Sequence, residues 1–454
     1  MGGIRNTLKI CNKVEFPLMD WLAPFLMIMF GLFFLFALGV PVAFSFLFVN
    51  ITAAFFLWGG QGGLDQIILS IYGSVINFTM LPIPLFILMG ELMFRSGVAP
   101  KMIETLDKWL GGVPGRLSFM AVISGTLFST LSGSSMASTA MLGSVLLPEM
   151  KKRGYKNPMS LGPILGSGGL AIMIPPSALG VVLASLARFS VGELLVAIIV
   201  PGFIMAALYL AYIIIRSLLQ PSLAPSYSVS HIPVSEKIIA SIRYILPLGS
   251  IVFLVIGLIF LGIATPTESA ALGALGCFIL AFAYRGLKWN VIESAFVSTI
   301  RSTVMIFLIM SASVAFSQIM AYTQATSEMV ALISNLSLSP MVLIIAMQFV
   351  MLIMGTFLES MPIMMITIPI FMPIIKTLNI NPIWFGVIML LNMEMAMTSP
   401  PFGLSLFVMK GVSPPGVTIR DIYTASLPFL LCDLVAMALI MAFPWLVLWL
   451  PSFM

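Results

Sequence analysis

Charge is the scarcest property of this sequence. Of its 454 residues only 8% are Asp, Glu, Lys or Arg, against 60% hydrophobic, whereas a soluble domain carries about 25% charged residues. So few charges cannot wet the surface of a body this size, and the mean hydropathy of +1.14 agrees. A soluble enzyme, a nucleic-acid binder and a disordered scaffold are thereby excluded. Histidine occurs once, as His231 in a polar stretch. The three cysteines, Cys11, Cys277 and Cys432, are scattered, two of them in apolar runs. Zinc, haem and a disulfide framework therefore have no ligand set to rest on. No G-x-x-x-x-G-K-[ST] segment occurs, so the chain does not hydrolyse ATP through a P-loop. An intramembrane protease would need a Ser-His or paired-Asp centre, and neither can be assembled from these residues.

What the chain does have is long apolar runs: Leu22–Gly39, Leu194–Ile215 and Leu427–Leu450. They have the length of membrane-crossing helices, not of the short alternating strands of a barrel. In lipid the backbone must satisfy its own polar groups, which leaves an all-α polytopic membrane protein. Segment lengths predict ten to twelve spans plus two re-entrant hairpins. The first run is too long for a signal-peptide core and is expected to be retained. The net charge of +5 reads as cation-rich cytoplasmic loops.

Four pairs of markers recur in the same order at an offset of about 225 residues: Val40-Pro41 with Thr265-Pro266, Gly125-Thr126 with Gly355-Thr356, Asn157-Pro158 with Asn381-Pro382, and Pro175-Pro176 with Pro400-Pro401. The sequence divides into a polar N-terminal segment (1–21), a first repeat (22–220), a Ser- and Pro-rich linker (221–243) and a second repeat (244–454). Glu149–Lys156 carries four cations and its counterpart Ile374–Asn381 carries only Lys376. Cations mark the cytoplasmic side, so the two repeats are expected to be inverted, an arrangement that places a binding site near mid-membrane.

Each repeat also contains a broken apolar stretch. In the first, a hairpin over about 123–150 has a centre of small hydroxyl residues and glycine between flanks of only 7–11 apolar residues. In the second, a hairpin over about 355–373 turns near Glu359–Pro362. A Gly- or Pro-interrupted span follows each hairpin: Leu161–Leu186 and Pro382–Met409. Opening of these helices would expose carbonyl oxygens and half-helix ends, the groups that hold small cations or anionic substrates. Sodium takes oxygen ligands, and the candidates are Ser132, Ser134, Ser135, Gly168 and Gly169 in one half and Gly355, Asn392, Ala396, Thr398 and Ser399 in the other. Small residues of this kind also serve close helix packing, the alternative reading, and the GxxxG at Gly162–Gly166 is read as packing. Charges inside a membrane are costly and point to function; Glu91, Glu268, Glu359 and Glu394 are the leads, with Glu394 foremost because it lies within a broken helix. Arg188 reads as an interfacial anchor, and Arg301 either pairs with a glutamate or sits at the interface.

The strings LSGSSMASTAMLGSVLLPEM, GLAIMIPPS, PTESAALGALG and NPIWFGVIMLLNMEMAMTSPPFGLSLFV, in this order across residues 36–425, resemble the large membrane (M-type) subunit of TRAP transporters, the tripartite ATP-independent periplasmic transporters. The resemblance implies a secondary transporter of the bacterial inner membrane that imports an organic acid with sodium. It implies a small Q-type membrane subunit and a periplasmic P-type binding protein as partners, no cofactor besides the coupling ion, and an elevator-like mobile domain holding the two hairpins. Carried over by motif, Gly133-Ser134-Ser135 lies near one sodium. Ala396-Met397-Thr398-Ser399-Pro400-Pro401-Phe402-Gly403 stands where relatives often have G-L-L-T-P-P-V-G, which puts Phe402 beside the second sodium. The anion would bind between the tips, with Ser134, Ser138, Glu359, Glu394, Pro400 and Gly403 as its contacts; Glu359 stands where Asp is expected in many relatives. A non-TRAP sodium- or proton-coupled carrier with the same broken helices is the alternative. The substrate within the carboxylates (sialic acid, a C4-dicarboxylate or a keto acid) is not selected by these residues.

Overall fold

The computed structural model describes residues 17–110, 115–132, 134–226, 233–335 and 338–454. Among them every regular element is helical. In chain order the helices are α1 (Pro17–Ala37), α2 (Val42–Leu57), α3 (Gln61–Val75), α4 (Pro82–Arg95), α5 (Val98–Trp109), α6 (Arg116–Ser132), α7 (Ser135–Lys152), α8 (Asn157–Met173), α9 (Ala178–Ala187), α10 (Val191–Ala197) and α11 (Ile199–Leu219). The second half holds α12 (Val234–Tyr244), α13 (Leu246–Phe260), α14 (Pro266–Ala283), α15 (Trp289–Tyr322), α16 (Ala325–Asn335), α17 (Pro340–Gly355), α18 (Ser360–Thr377), α19 (Pro382–Thr398), α20 (Leu404–Val412), α21 (Ile419–Ala442) and α22 (Trp445–Leu448). His231 and Cys11 lie outside the described residues.

Six helical segments are long and apolar enough to cross a membrane, or eight if the two bent pairs α8–α9 and α12–α13 each count as one. That is fewer than the ten to twelve expected. The difference lies in five apolar stretches of 10–17 residues, Trp21–Ala37 of α1, α2, Arg116–Phe128 of α6, α17 and α19, which at 1.5 Å per residue fall short of the roughly 30 Å core. The stretch read as a linker is partly helical: its end forms α12, which bends by 44° into α13.

Two helices form the hub. α8 is buried from Met159 through Met173 and α19 from Ile383 through Thr398. Glycine explains how α8 can be surrounded. A Cβ on Gly162 or Gly166 would meet the Phe429 ring of α21 at 2.6 Å, one on Gly168 would meet Thr139 of α7, and one on Gly169 would meet Glu394 of α19. Without a hydrophobic force between helices in lipid, such close approach supplies the contact energy. The GxxxG is thus a packing seat for Phe429, as the sequence reading had it. Around the hub, α6, α7, α11 and α21 pack on α8, and α17 and α18 pack on α19. An outer frame of α1–α3 and the 34-residue α15 encloses a second apolar cluster, centred on Phe46 and Phe316, while α4 packs on both α15 and α6 and so joins the frame to the hub side, with α14 against it.

Both hubs end at proline pairs. α8 stops at Met173 before Pro175-Pro176, and Ser177 caps α9 by accepting from the Gly180 N–H at 3.2 Å. α19 stops at Thr398 before Pro400-Pro401, and α20 resumes at Leu404. Both Pro-Pro peptide bonds are cis.

Candidate functional site

The breaks converge. A cavity of about 370 Å³ is lined by Ser134 and Ser135 from the α6–α7 break and by Glu359 and Ser360 from the α17–α18 break. Ile172, Ala178 and Leu179 at the α8–α9 break and Met397 at the end of α19 complete this side. The opposite wall is α4 and α15, with Glu91, Arg95 and Ser302 as its polar groups. Residues at four helix breaks and a charged frame wall therefore share one space.

Sequence order explains each part. Ser134 caps α7, accepting from the Ala137 N–H at 3.3 Å, and the Ser135 hydroxyl lies 3.2 Å from that of Ser405 at the start of α20. The first tip is thereby tied to the second half's break. At the other tip, Glu359 occupies the N-cap of α18, the position where a carboxylate complements the helix dipole. Gly355 packs on Ala396, and the Phe357 ring lies 5.7 Å from that of Phe402.

The structure divides the expected site residues into three groups. Ser134, Ser135 and Glu359 line the cavity, as does Glu91. Ser138, Glu394, Pro400 and Gly403 do not line it. Ser138 and Glu394 are fully buried. The Glu394 carboxyl lies against Gly169 and near Asp433 on α21, which accepts from the Tyr209 hydroxyl, and neither Glu394 oxygen has a hydrogen-bond partner. It serves the hub between α8, α19 and α21. Gly168 and Gly169, expected at an opened stretch, stay helical; the break falls after Met173. Asn392, Ala396 and Thr398 likewise lie within α19, with only Ser399 to Gly403 outside helices. Gly133 and the Ser132 side chain lie outside the described residues.

Several oxygens near the tips are buried without a hydrogen-bond partner: Thr139 Oγ1 beside Gly168, Ser360 Oγ in the cavity wall, and Asn392 Oδ1. The Asn392 amide donates to the Gln348 carbonyl at 2.8 Å and to its side-chain oxygen at 3.0 Å, which leaves Oδ1 as a spare acceptor. Thr398 and Ser399 hydroxyls instead turn back to the Met395 carbonyl, Ser399 at 2.7 Å. Among the described residues no three His, Cys, Asp or Glu side chains gather to hold a metal. Any cation held here would rest mainly on hydroxyl, amide and carbonyl oxygens, with Glu359 as the carboxylate of the two tips.

One charge assignment changes. Glu268 is not a buried charge: it is exposed and closes a capping box with Thr265, whose N–H donates to it at 2.8 Å. Arg301 is exposed on α15. The cation that sequence reading missed is Arg95, which reaches Glu91 at 2.7 Å and donates to Ser298 Oγ at 2.8 Å. Its only signal in the sequence is the i,i+4 spacing from Glu91.

Residues 29–446 match the family model described as "Tripartite ATP-independent periplasmic transporter, DctM component". The chain belongs to this family, as its large permease subunit. It is a multi-pass membrane protein and a transporter, not an enzyme. The C4-dicarboxylate TRAP transporter large permease protein of Pseudomonas aeruginosa is 34% identical to this permease over 383 residues, 83% of this chain and 87% of that one. The sialic acid TRAP transporter large permease protein of Vibrio cholerae is 27% identical over 93% of this chain and 97% of that one. In fold, the permease is similar to the YdaH transporter of Alcanivorax borkumensis, reported to have an unusual topology; the TM-score is 0.64 at 15% identity, over 86% of this chain and 91% of that one. Membership in the family removes the alternative of a non-TRAP carrier.

Proposed function

We propose that this permease imports an organic anion across the bacterial inner membrane, driven by sodium, with the anion and the ions held where the two helix breaks meet. The observation that carries the reading is the shared cavity, which brings Ser134, Ser135, Glu359 and Ser360 from opposite halves of the chain to one place. In this reading a small membrane subunit completes the frame, and a periplasmic binding protein delivers the substrate. The hub moves against α4 and α15 as an elevator, carrying both tips. The relatives named for a C4-dicarboxylate and for sialic acid support a carboxylate cargo.

The energetics are consistent with symport. Moving one net positive charge inward yields about 2.3 kcal/mol per 100 mV, so two sodium ions with a monoanion use the membrane potential as well as the sodium gradient. Apart from Glu359 the tips offer neutral oxygens, so in this reading an ion is held mainly by dipoles. A hydroxyl contributes about 1 kcal/mol to such a site. Ser134→Ala is therefore expected to raise the sodium concentration for half-maximal uptake by about fivefold to tenfold, measured as a sodium titration of uptake in proteoliposomes; an unaltered titration would remove Ser134 from the ion site.

A further inference from the structure

We infer that the permease has a second, electropositive cavity that concentrates small carboxylate anions on the face opposite its cation-rich loops, with Arg188 and Lys376 as its fixed charges. This rests on the import reading for its biological use, while its electrostatics are independent of it.

The cavity has a volume of about 850 Å³ and lies between α3, α9, α15 and α18. Its charged lining residues are Arg188 and Lys376, with no carboxylate among the described lining residues. Serine hydroxyls and the amides of Gln66, Asn77 and Gln318 supply the rest of its polarity. The Ser185 hydroxyl in this wall is buried without a hydrogen-bond partner. Arg188 caps α9 in the left-handed region, at φ 58°, a conformation uncommon for a residue with a side chain.

Three helices relate this cavity to the first. α9 contributes Ala178 and Leu179 to the site cavity and Ser185 to Arg188 to the second. α15 contributes Ser302 to Ile309 and then Ser313 to Ala321, and α18 contributes Ser360 and then Ile368 to Lys376. At 1.5 Å per residue, Lys376 stands about 24 Å along α18 from the tip at Ser360. The two cavities thus occupy opposite ends of one seam between hub and frame.

The position of the two cations is unusual. Contacts gather Lys108, Lys151, Lys156 and Arg243 at the far end of the bundle. Lys108 pairs with Glu236 at 3.1 Å, the Lys156 N–H donates to the Leu223 carbonyl at 2.9 Å, and Gly286 abuts Ser96. Tyr284 bonds the Arg243 carbonyl, and Lys151 lies near Asp421. By the positive-inside rule that end is cytoplasmic. Arg188 and Lys376 remain at the other end, where the rule disfavours them, and both line the same cavity. The acids nearest that end in the chain, Asp65, Glu193 and Glu328, do not line it. A cleft of one sign with low-dielectric walls focuses its field and raises the local concentration and on-rate of counter-ions by about 10–10³-fold. The concave shape favours a small anion over a docked protein.

The test needs neither substrate nor sodium. In the full chain, with Cys11, Cys277 and Cys432 replaced by serine or alanine, Ser317→Cys places one thiol in the wall. Its reaction rates with anionic sulfonatoethyl and cationic trimethylammonioethyl methanethiosulfonate are compared with those of free 2-mercaptoethanol. The anion-to-cation ratio is expected to exceed that of the free thiol by about tenfold or more, to collapse in high salt, and to fall to the free-thiol value in Arg188→Gln/Lys376→Gln. Arg188→Lys/Lys376→Arg should retain it, which separates charge from folding. A ratio at or below the free thiol's, or one unaffected by salt, overturns the inference. So does a flat ratio accompanied by salt-sensitive loss of binding-protein docking in the glutamine pair, which would assign the cations to a protein partner. Failure of sodium-driven uptake would sink the import reading and leave this result standing.

Discussion

Gly169→Val is expected to abolish the folded permease. Even a Cβ at this position would stand 1.5 Å from Glu394 Oε1 and 2.4 Å from its Cδ, a full overlap. The Glu394 chain cannot swing aside into water, because it is fully buried between α8, α19 and α21 with Asp433 close by. Overpacking a well-filled core costs about 1–3 kcal/mol, occasionally more, and two hub helices would have to part. The expected readout is loss of the monodisperse peak in fluorescence-detected size exclusion, with Gly169→Ala showing a lower thermal midpoint. Glu394→Ala should partly restore Gly169→Ala, since it removes the colliding atoms. Residues in direct contact couple by about 0.5–3 kcal/mol in double-mutant cycles. A wild-type profile for Gly169→Val would show that α8 and α19 are not packed as described.

The second large effect has two opposite signs. Arg95→Gln is expected to raise the KM for anion uptake by about tenfold to a hundredfold, and Glu91→Gln to lower it. Both side chains line the site cavity and pair with each other at 2.7 Å, with about a third of each exposed. An ion pair that open to solvent contributes about 0–1 kcal/mol to folding, so neither variant should change the amount of folded protein. Their effect falls on the cargo. A charge-assisted hydrogen bond to a carboxylate contributes about 1.5–3 kcal/mol, which is one to two decades in affinity. Glu91 competes for the same guanidinium, so its removal frees the fork. Arg95→Lys should recover only part of the loss, since an ammonium cannot bind a carboxylate through two parallel bonds. Kinetics of uptake in proteoliposomes check this; equal shifts in both variants, or none, would remove Arg95 from the anion site.

Much of the architecture was legible because glycine, proline and serine have few roles in lipid. The paired Pro-Pro breaks, the tip at Ser134-Ser135 and the acid at Glu359 could be placed from spacing alone. The turn expected at residues 132–135 falls where the sequence puts it, between the end of α6 at Ser132 and the start of α7 at Ser135. Where the two interrupted spans open could not be placed. Lipid favours a backbone that bonds to itself, so only the residues that must turn leave the helix. The same pressure keeps Gly168 and Gly169 helical. The surroundings of Glu394 were not legible for a different reason. α19 is apolar on every face and buried throughout, so no polar stripe fixes which way residue 394 points. Its neighbour across the hub, Asp433, lies on a helix far along the chain and gives no local signal.

The account's central claim is that the meeting point of the two breaks couples sodium to an organic anion. Its most direct test is uptake by the permease reconstituted in proteoliposomes with its membrane subunit and loaded binding protein, under an imposed sodium gradient and a potassium-diffusion potential. The account predicts accumulation of the anion above its external concentration only when sodium is higher outside, and more of it when the interior is negative. Equal accumulation with sodium absent, or uptake indifferent to the sodium gradient, would contradict it.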